Sequence, residues 1–208
     1  MPLWEALGLM SADLDERKRM LSELSEDSSA GQSRRAKFRS AIEQITHEYS
    51  GLGMEMNHRY NSGAVFQKDE GPWPPLPKDS IFYHQTMTYP GSRLPHAWLT
   101  TAIPGKKIST IDLAGHGKFT LFTGIGGRKW KDAAEVVDRN LGVPIQVYSI
   151  GYGQDYEAMY FDWEKLRDVE ENGCVLVRPD RFVTWRSATL PEDYGNKLLE
   201  VMKVILFR

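Results

Sequence analysis

Residues 119–150 read FTLFTGIGGRKWKDAAEVVDRNLGVPIQVYSI, and this stretch decides the fold. Phe119 to Thr123 is a short run of β-branched and aromatic residues, which predicts a strand. Arg128 to Leu141 carries apolar residues at helical spacing and stops before Gly142, so it predicts a helix with a glycine at its C-terminal end. Ile145 to Ile150 then predicts a second strand. A strand, helix and strand in this order form a right-handed crossover between parallel strands.

The segments after residue 150 complete the order of elements. A helix is predicted from about Asp162 to Glu171, strands at Val175–Arg178 and Phe182–Arg186, and a last helix after Pro191. Strand, helix, strand, helix, strand, strand, helix is the order of the thioredoxin fold. The predicted fold class is therefore α/β, with a thioredoxin-like C-terminal domain.

One more strand is predicted immediately before this unit. Thr110 to Leu113 is a short β-rich run, and Gly115-His116-Gly117 separates it from Phe119 to Thr123. Two such runs joined by a glycine-containing loop indicate a hairpin.

A helical segment and a proline-rich linker precede the α/β part. Ser11 to Leu24 predicts a helix capped by Ser11, and Arg34 to Ser50 predicts a stronger one. Gly71 to Pro77 contains four prolines and predicts a stiff spacer. We therefore expect residues 1–80 to be a helical segment and linker, and residues 81–208 to be the thioredoxin-like domain. The second helix has an apolar stripe that needs a partner surface: Phe38, Ile42, Ile45 and Tyr49.

Composition excludes several classes of partner. The chain has 208 residues, 41% hydrophobic and 26% charged, with a formal net charge of −2. This charge does not attract nucleic acid or anionic lipid, and the basic run from Arg34 to Arg39 is interpreted as a solvated helix face. The first ten residues lack the basic start of a signal peptide, and no apolar run approaches the ~20 residues of a membrane span. We expect a cytoplasmic protein without nucleic-acid or membrane partners.

Redox chemistry at cysteine is disfavoured by position. The chain has one cysteine, Cys174, which excludes an intramolecular disulfide and a zinc site built on several thiolates. In a redox-active thioredoxin fold the attacking cysteine lies at the helix N-terminus after the first central strand. That place is the segment from Gly124 to Trp130, which has no cysteine. Cys174 begins a later strand, so we expect it to be buried and structural.

Other catalytic patterns are incomplete. Gly124 and Gly126 match the first two glycines of a dinucleotide-binding turn, but Lys129 occupies the position of the third. Ser149 lacks the glycine that a nucleophile elbow requires two residues earlier. The five histidines have no metal-site spacing: His47, His58, His84, His96 and His116. We therefore predict no catalytic, cofactor-binding or metal-binding residue in this chain.

The segment Tyr89 to Leu99, hereafter the strap, reads YPGSRLPHAWL. Two prolines and a glycine restrict its backbone, and Arg93, His96 and Trp98 supply polar and aromatic groups that can join two bodies. The strap closely resembles the linker of FAD-dependent phenol and chlorophenol hydroxylases and their polyketide-tailoring relatives. The likeness extends over nearly the whole chain through further motifs: Leu52–Asn57, Arg59–Ser62, Thr110–Leu113, Phe119–Gly124, Trp130, Ala133–Ala134, Val175–Asp180 and Val183–Arg186.

This resemblance implies a C-terminal domain of thioredoxin fold without redox cysteines, which supports dimerisation and packs on a flavin-bearing body. It implies an enzyme that uses FAD and NAD(P)H with oxygen to hydroxylate a phenol-like ring. The family's glycine-rich FAD motif and its later Gly-Asp motif are not in this sequence. We therefore expect a flavin-binding domain or subunit as partner, a homo-oligomer, and a chain that is catalytically incomplete alone.

Two other interpretations stay open at this point. The chain can be a non-catalytic structural or dimerisation module built on the thioredoxin-like fold. A cysteine peroxidase or oxidoreductase is the third interpretation, and the position of Cys174 disfavours it.

Overall fold

The computed structural model describes residues 2–101 and 105–208. Contacts between residues divide the chain into two compact units. The first contains residues 1–55 and 78–84, and the second contains residues 56–77 and 85–208. Among the described residues, no helix has the length and apolar character needed to cross a membrane.

The second unit is built on a four-stranded mixed sheet. Its strands are β3 (Phe119–Thr123), β4 (Ile145–Ser149), β6 (Cys174–Val177) and β7 (Val183–Ser187), in the order β4-β3-β6-β7. β3 runs parallel to β4 and antiparallel to β6, and β6 runs antiparallel to β7. This confirms the predicted mixed α/β class and the parallel β3–β4 unit, whereas the thioredoxin-like assignment stays a prediction.

Two helices cover one face of this sheet. They are α6 (Lys129–Leu141) and α8 (Tyr194–Ile205). Leu121 of β3 packs there with the two tryptophans Trp130 and Trp185, whose rings meet edge to face with centroids 5.8 Å apart. All three side chains are 0–1% exposed. Since burial of each large apolar side chain contributes about 1.5–3 kcal/mol, this layer is the main source of stability in the unit.

A smaller sheet packs against the other face of the four-stranded sheet. It has the order β2-β1-β5, from β1 (Trp98–Thr100), β2 (Ile108–Ser109) and β5 (Glu157–Ala158). Leu99 from β1, Phe122 from β3 and Trp163 from α7 (Asp162–Leu166) form the centre of this second core. β3 is therefore buried on both faces, as its continuous apolar run indicates.

The predicted strand at Thr110 to Leu113 is wrong, because these residues form the short helix α5 (Thr110–Leu113). Ser109 accepts a hydrogen bond from the backbone N–H of Ile111, and the Asp112 carboxylate accepts one from the backbone N–H of Ser109. This capping arrangement satisfies N–H groups at the helix start and overrides the β propensity of Thr110 and Ile111. The predicted hairpin with β3 is absent for the same reason.

Other boundaries differ from the predicted ones by small amounts. α7 ends at Leu166 rather than Glu171, because Asp168 has a positive φ of 52° that a helix cannot accommodate. β4 ends at Ser149, whereas β6 and β7 lie one residue from their predicted limits. α6 and its left-handed C-cap at Gly142 (φ 66°) agree with the prediction.

The first unit is helical. It contains α1 (Pro2–Ala6), α2 (Leu14–Ser22), a 3₁₀ turn at Glu23–Ser25 and α3 (Ser29–Tyr49), and α4 (Leu52–Met56) begins in it. α2 starts later than predicted, with Asp13 rather than Ser11 as its cap. α3 starts at Ser29 instead of Arg34, because the Ser28 hydroxyl accepts from the Gly31 N–H at 3.0 Å.

The interpretation of the basic run as a solvated face is wrong for two of its residues. The Arg34 Nε lies 2.6 Å from a carboxylate oxygen of Glu23, which is 8% exposed. Arg35 donates to the carbonyls of Leu24 and Glu26. These contacts hold the turn between α2 and α3 against the start of α3.

The turn from β3 into α6 requires glycine, which gives a test. A Cβ on Gly127 would lie 1.8 Å from the Thr123 hydroxyl oxygen and 2.9 Å from its Cβ. We expect Gly127→Ala to lower the free energy of unfolding of the second unit by about 1–3 kcal/mol, because this turn cannot widen without moving α6 from the core. Urea unfolding followed by tryptophan fluorescence measures it.

Gly71→Ala is the matched control, since a Cβ there meets nothing within 4 Å. It is expected to stay within about 0.5 kcal/mol of the parent chain. Equal stabilities for the two variants would contradict the packing account of Gly127.

Candidate functional site

The turn after β3 is the place where a redox or phosphate-binding group is expected in this topology. A Cβ on Gly124 would lie 2.6 Å from the carbonyl oxygen of Glu171, and one on Gly127 would lie 1.8 Å from the Thr123 hydroxyl oxygen. These glycines therefore allow the chain to pack on itself. The residues of this turn do not fit a pyrophosphate cradle, because the space that a cradle would leave open is filled by backbone and side chain.

A shallow cleft of about 410 Å³ lies beside this turn. In it the Asp155 carboxylate accepts hydrogen bonds from the backbone N–H of Ser149 at 2.9 Å and from its hydroxyl at 2.8 Å. The Lys131 ammonium lies 3.1 Å from the same carboxylate. Burial opposes ionisation, but these bonds from Ser149 and Lys131 outweigh it and lower the pKa of Asp155. Ser149 therefore holds the Asp155 loop, and its hydroxyl is not presented as a nucleophile.

Cys174 is fully buried in β6, paired between Thr123 of β3 and Ser187 of β7. Burial raises the pKa of its thiol well above the usual value, and a hydrogen bond with the backbone at Ser187 only partly opposes this. The thiolate that redox chemistry requires is thus suppressed. The side chain packs in the same core as Trp130 and Trp185.

The strap is held by several hydrogen bonds within the second unit. The Ser92 hydroxyl lies within hydrogen-bonding distance of the Tyr89 and Met87 carbonyls, at 2.6 and 2.9 Å. The Thr110 hydroxyl donates to the Pro95 carbonyl and accepts from the Ala97 N–H. These bonds fix the strap to itself and to the start of α5.

All three strap residues singled out in the sequence make hydrogen-bond or ring contacts. His96 Nδ1 lies 2.7 Å from the Ser109 hydroxyl, and its ring meets that of Trp98 edge to face at 4.7 Å. The Arg93 guanidinium lies over the Phe182 ring, 5.5 Å from its centroid. All of these contacts are within the second unit, so the structure shows how the strap is held there.

Residues 56–77 pack against the strap within the same unit. Arg59 lies over the Trp73 ring at 4.8 Å, and Trp73 in turn stacks on Tyr89 with centroids 4.2 Å apart. A Cβ on Gly91, whose φ is 100°, would lie 2.2 Å from the Tyr60 carbonyl oxygen. The glycine of the strap is therefore required both by backbone conformation and by this close approach.

A network of ionic side chains joins β7 to the region around the strap. Arg186 makes two hydrogen bonds to Glu70, at 2.7 and 2.9 Å, and contacts Asp168 at 3.3 Å. Desolvation is the largest single effect and opposes the charge, but the hydrogen bonds and charges of Glu70 and Asp168 together outweigh it and raise the pKa of Arg186. The indole N–H of Trp185 also donates to Asp69 at 3.0 Å. Glu70 and Asp69 are more than 110 residues away in sequence from Arg186 and Trp185, and no local pattern could reveal these pairs.

The histidines occupy separate environments. His47 lies 3.0 Å from Asp79 in the first unit, whereas His116 contacts the Asp112 carbonyl in the second. Of residues 2–101 and 105–208, no three His, Cys, Asp or Glu side chains come close enough together to hold a metal ion.

The second unit is a mixed α/β domain with a cysteine-free turn after β3 and a strap held by hydrogen bonds. The model of the family described as "Aromatic-ring hydroxylase, C-terminal" matches residues 87–206. The chain belongs to this family, and the resemblance found in the sequence is confirmed.

Similar proteins are monooxygenases by name. The chain is 42% identical over its whole length to a 2,4-dichlorophenol 6-monooxygenase of Cupriavidus pinatubonensis, and covers 34% of that protein. It is 39% identical to a phenol 2-monooxygenase of a Pseudomonas species over 97% of this chain and 33% of that protein. The flavin-dependent monooxygenase PieE, solved with FAD and substrate, matches with a TM-score of 0.82 and 38% identity, covering 99% of this chain and 35% of PieE. The chain thus spans about a third of the length of these relatives.

The buried thiol gives a direct test of the structural role of Cys174. We expect the folded chain at pH 8 to react with a thiol reagent such as DTNB only at the rate of its unfolding, because the sulfur is 0% exposed and its pKa is raised. Addition of denaturant should release one equivalent of fast-reacting thiol. Rapid stoichiometric reaction in the folded state, or peroxide-dependent oxidation lost in Cys174→Ser, would show a reactive cysteine instead.

The Arg186–Glu70 pair gives a second test. Removal of one partner by Arg186→Met leaves Glu70, whose side chain is 12% exposed, without its cation. We expect a loss of about 3–5 kcal/mol in unfolding free energy. The double variant Arg186→Met, Glu70→Gln should lose less than the sum of the single variants, because neither position of the buried pair then keeps a charge without its partner.

Lys131→Met is the control for this cycle, since that cation lies in a half-exposed pair (46% and 38%). It should cost no more than about 1 kcal/mol. Additive losses in the Arg186–Glu70 cycle, measured by urea unfolding, would contradict the coupling.

Proposed function

We propose that this chain is the C-terminal part of a FAD-dependent monooxygenase that hydroxylates a phenolic ring, and that it is inactive without a flavin-binding part. The observation that carries this proposal is the 42% identity along the whole chain to a 2,4-dichlorophenol 6-monooxygenase of which it covers a third. The assignment of residues 1–80 to the flavin and substrate region, and of residues 81–208 to a thioredoxin-like domain, belongs to the same proposal.

The overall reaction replaces a ring C–H bond by C–OH with one oxygen atom of O₂, and the other atom leaves as water. NAD(P)H supplies the two electrons, and FAD, when bound, transfers them to oxygen. In this chain the glycine turn after β3 is filled and Cys174 is buried, so the role we assign to its residues is structural. The strap and the Arg186 network hold segments that are far apart in sequence.

The surface of the first unit supports a missing flavin-binding partner. In the predicted apolar stripe of α3, Ile42 is 42% exposed and Tyr49 is 83% exposed, and the nearby Met54 is 68% exposed. Apolar side chains in such numbers on one helical unit are typical of a contact surface. We propose that this surface contacts the flavin-binding domain or subunit of the same enzyme. We place this enzyme in the cytoplasm.

The alternative is a non-catalytic structural or dimerisation module with a thioredoxin-like fold. The self-filled turn at Gly124 and Gly127 favours it, because such a domain needs no ligand to complete its core. The two proposals differ in whether the chain restores activity to a flavin-binding part.

The flavin proposal predicts that the purified chain is colourless and does not retain FAD after gel filtration. It should not oxidise NADH or NADPH in the presence of 2,4-dichlorophenol. Mixing it with the part of 2,4-dichlorophenol 6-monooxygenase that precedes the matched region should restore hydroxylation, measured as substrate-dependent NAD(P)H oxidation and product formation.

The control for this mixture is the variant Ile42→Glu, Tyr49→Lys, which places charges on the proposed contact surface and should abolish the restored activity without unfolding the chain. A chain that binds FAD alone in stoichiometric amount would overturn the proposal. Failure of the mixture, with both parts folded and no change in hydrogen exchange of residues 38–49, would favour the structural module.

A further inference from the structure

The turn from Glu170 to Gly173 contains a pair of residues with a covalent chemistry of its own. Of the five asparagines in the sequence, only Asn172 is followed by a glycine. In such a pair the backbone nitrogen of the second residue can attack the side-chain carbonyl carbon of the first. Glycine hinders this attack least, because it has no side chain and its backbone moves most freely. The pair is therefore suited to spontaneous loss of the asparagine amide.

The atoms of this reaction balance without a cofactor or an oxidant. The Gly173 nitrogen gives its proton to solvent and bonds to Cγ of Asn172. The side-chain amide group takes a proton from solvent and leaves as ammonia, which closes a cyclic imide. Water then opens the ring at one of its two carbonyls. One opening gives aspartate, and the other gives isoaspartate, in which the main chain runs through the side-chain carbons of position 172.

Both backbone groups of Gly173 are bonded in the folded chain. Its N–H donates to the carbonyl of Glu170 at 3.0 Å, and its carbonyl accepts from the Thr123 hydroxyl at 2.7 Å. A Cβ on Gly173 would lie 2.5 Å from the carbonyl oxygens of Ser187 and Ala188, so backbone surrounds this residue closely. The nitrogen therefore cannot rotate toward the preceding side chain while the turn is closed.

The same turn is packed against the glycine turn after β3. The indole N–H of Trp130, a residue that is 0% exposed, donates to the backbone carbonyl of Asn172 at 2.9 Å. A Cβ on Gly126 would lie 3.4 Å from Cβ of Asn172, and one on Gly124 would lie 2.6 Å from the carbonyl oxygen of Glu171. The position of the Asn172 backbone is thus tied to the packing of α6 on β3.

We propose that Asn172–Gly173 is a modification site at which isoaspartate forms only when this turn opens, and that the product prevents the turn from closing again. Isoaspartate adds one carbon to the main chain and displaces the carbonyl that accepts from Trp130. The indole N–H then lies in the core without its acceptor, which destabilises the folded chain. A brief opening becomes permanent, because chemical modification of an open state makes unfolding irreversible. This inference does not depend on the monooxygenase proposal.

Asn61 provides an internal reference in the same chain. It is exposed, and the N–H of Ser62, which follows it, donates no hydrogen bond within the described residues. The serine side chain makes ring closure at Asn61 intrinsically slower than at an Asn-Gly pair, but the fold does not restrain it. We therefore expect folding to slow the reaction strongly at Asn172 and little at Asn61.

The test is incubation of the full chain at mildly alkaline pH, in buffer and in concentrated guanidinium chloride. Peptide mapping by mass spectrometry follows both asparagines, and a protein isoaspartyl methyltransferase is the probe for isoaspartate. The ratio of the rate in denaturant to the rate in buffer should be about tenfold larger or more at Asn172 than at Asn61, because only the open fraction of the turn reacts. Equal ratios at the two sites would overturn the proposal.

The matched control is Asn172→Gln, which keeps an amide at this position. Glutamine must close a larger ring and does so much more slowly, so this variant should acquire no methyltransferase label at position 172 in either solvent. Label at that position in the variant would show that the reaction does not follow the proposed ring closure.

A second measurement examines the product. The chain is aged in denaturant, refolded and treated briefly with protease, which removes the chains that remain unfolded. Isoaspartate at position 172 should be depleted about tenfold or more in the surviving chains, because it cannot rebuild the turn that holds Trp130. Aspartate at position 172 and isoaspartate at position 61 should survive, and the variant Asn172→Asp should refold. Equal survival of isoaspartate and aspartate at position 172 would contradict the structural role of this turn.

Discussion

The burial of β3 on both faces is the constraint on which the second unit depends. Leu121 points into the core beneath α6 and α8, whereas Phe122 points into the core formed with the small sheet. A strand in this position must be apolar throughout, and it must leave the sheet through a turn tight enough to bring α6 directly onto it. The glycines after Thr123 meet that requirement, so the chemistry of the turn is fixed by packing before any ligand is considered.

Elements with a strong period could be predicted from the sequence, and those fixed by side-chain bonds could not. α6 was found from its apolar spacing and its glycine stop, because both signals are local and strong. Thr110 to Leu113 were misassigned, since two bonds around Ser109 and Asp112 decide their conformation against their β propensity. β1 and β5 are two or three residues long and owe their structure to each other, so no local pattern marks them.

The contacts of residues 56–77 show a second reason why the fold could not be predicted fully from the sequence. The prolines between Gly71 and Pro77 indicate stiffness, but stiffness alone does not say where the segment lies. Its partners, Tyr89 for Trp73 and Arg186 for Glu70, are set by tertiary packing. Phe66 enters the main core with Trp185. The burial of Cys174 was predictable from its position at the start of a strand, whereas the ionic network that holds the strap region was not.

The glycine turn also shows why two of its positions do not accept a cysteine. A helix lowers the pKa of a thiol only where the thiol lies at the N-terminus of that helix. At Gly127, however, any Cβ would lie 1.8 Å from the Thr123 hydroxyl, and Gly126 has a φ of 83° that disfavours a side chain. A cysteine placed at either position would therefore disturb the packing of α6 on β3 before it could act. The two glycines therefore serve the packing of α6 on β3 rather than a thiol site.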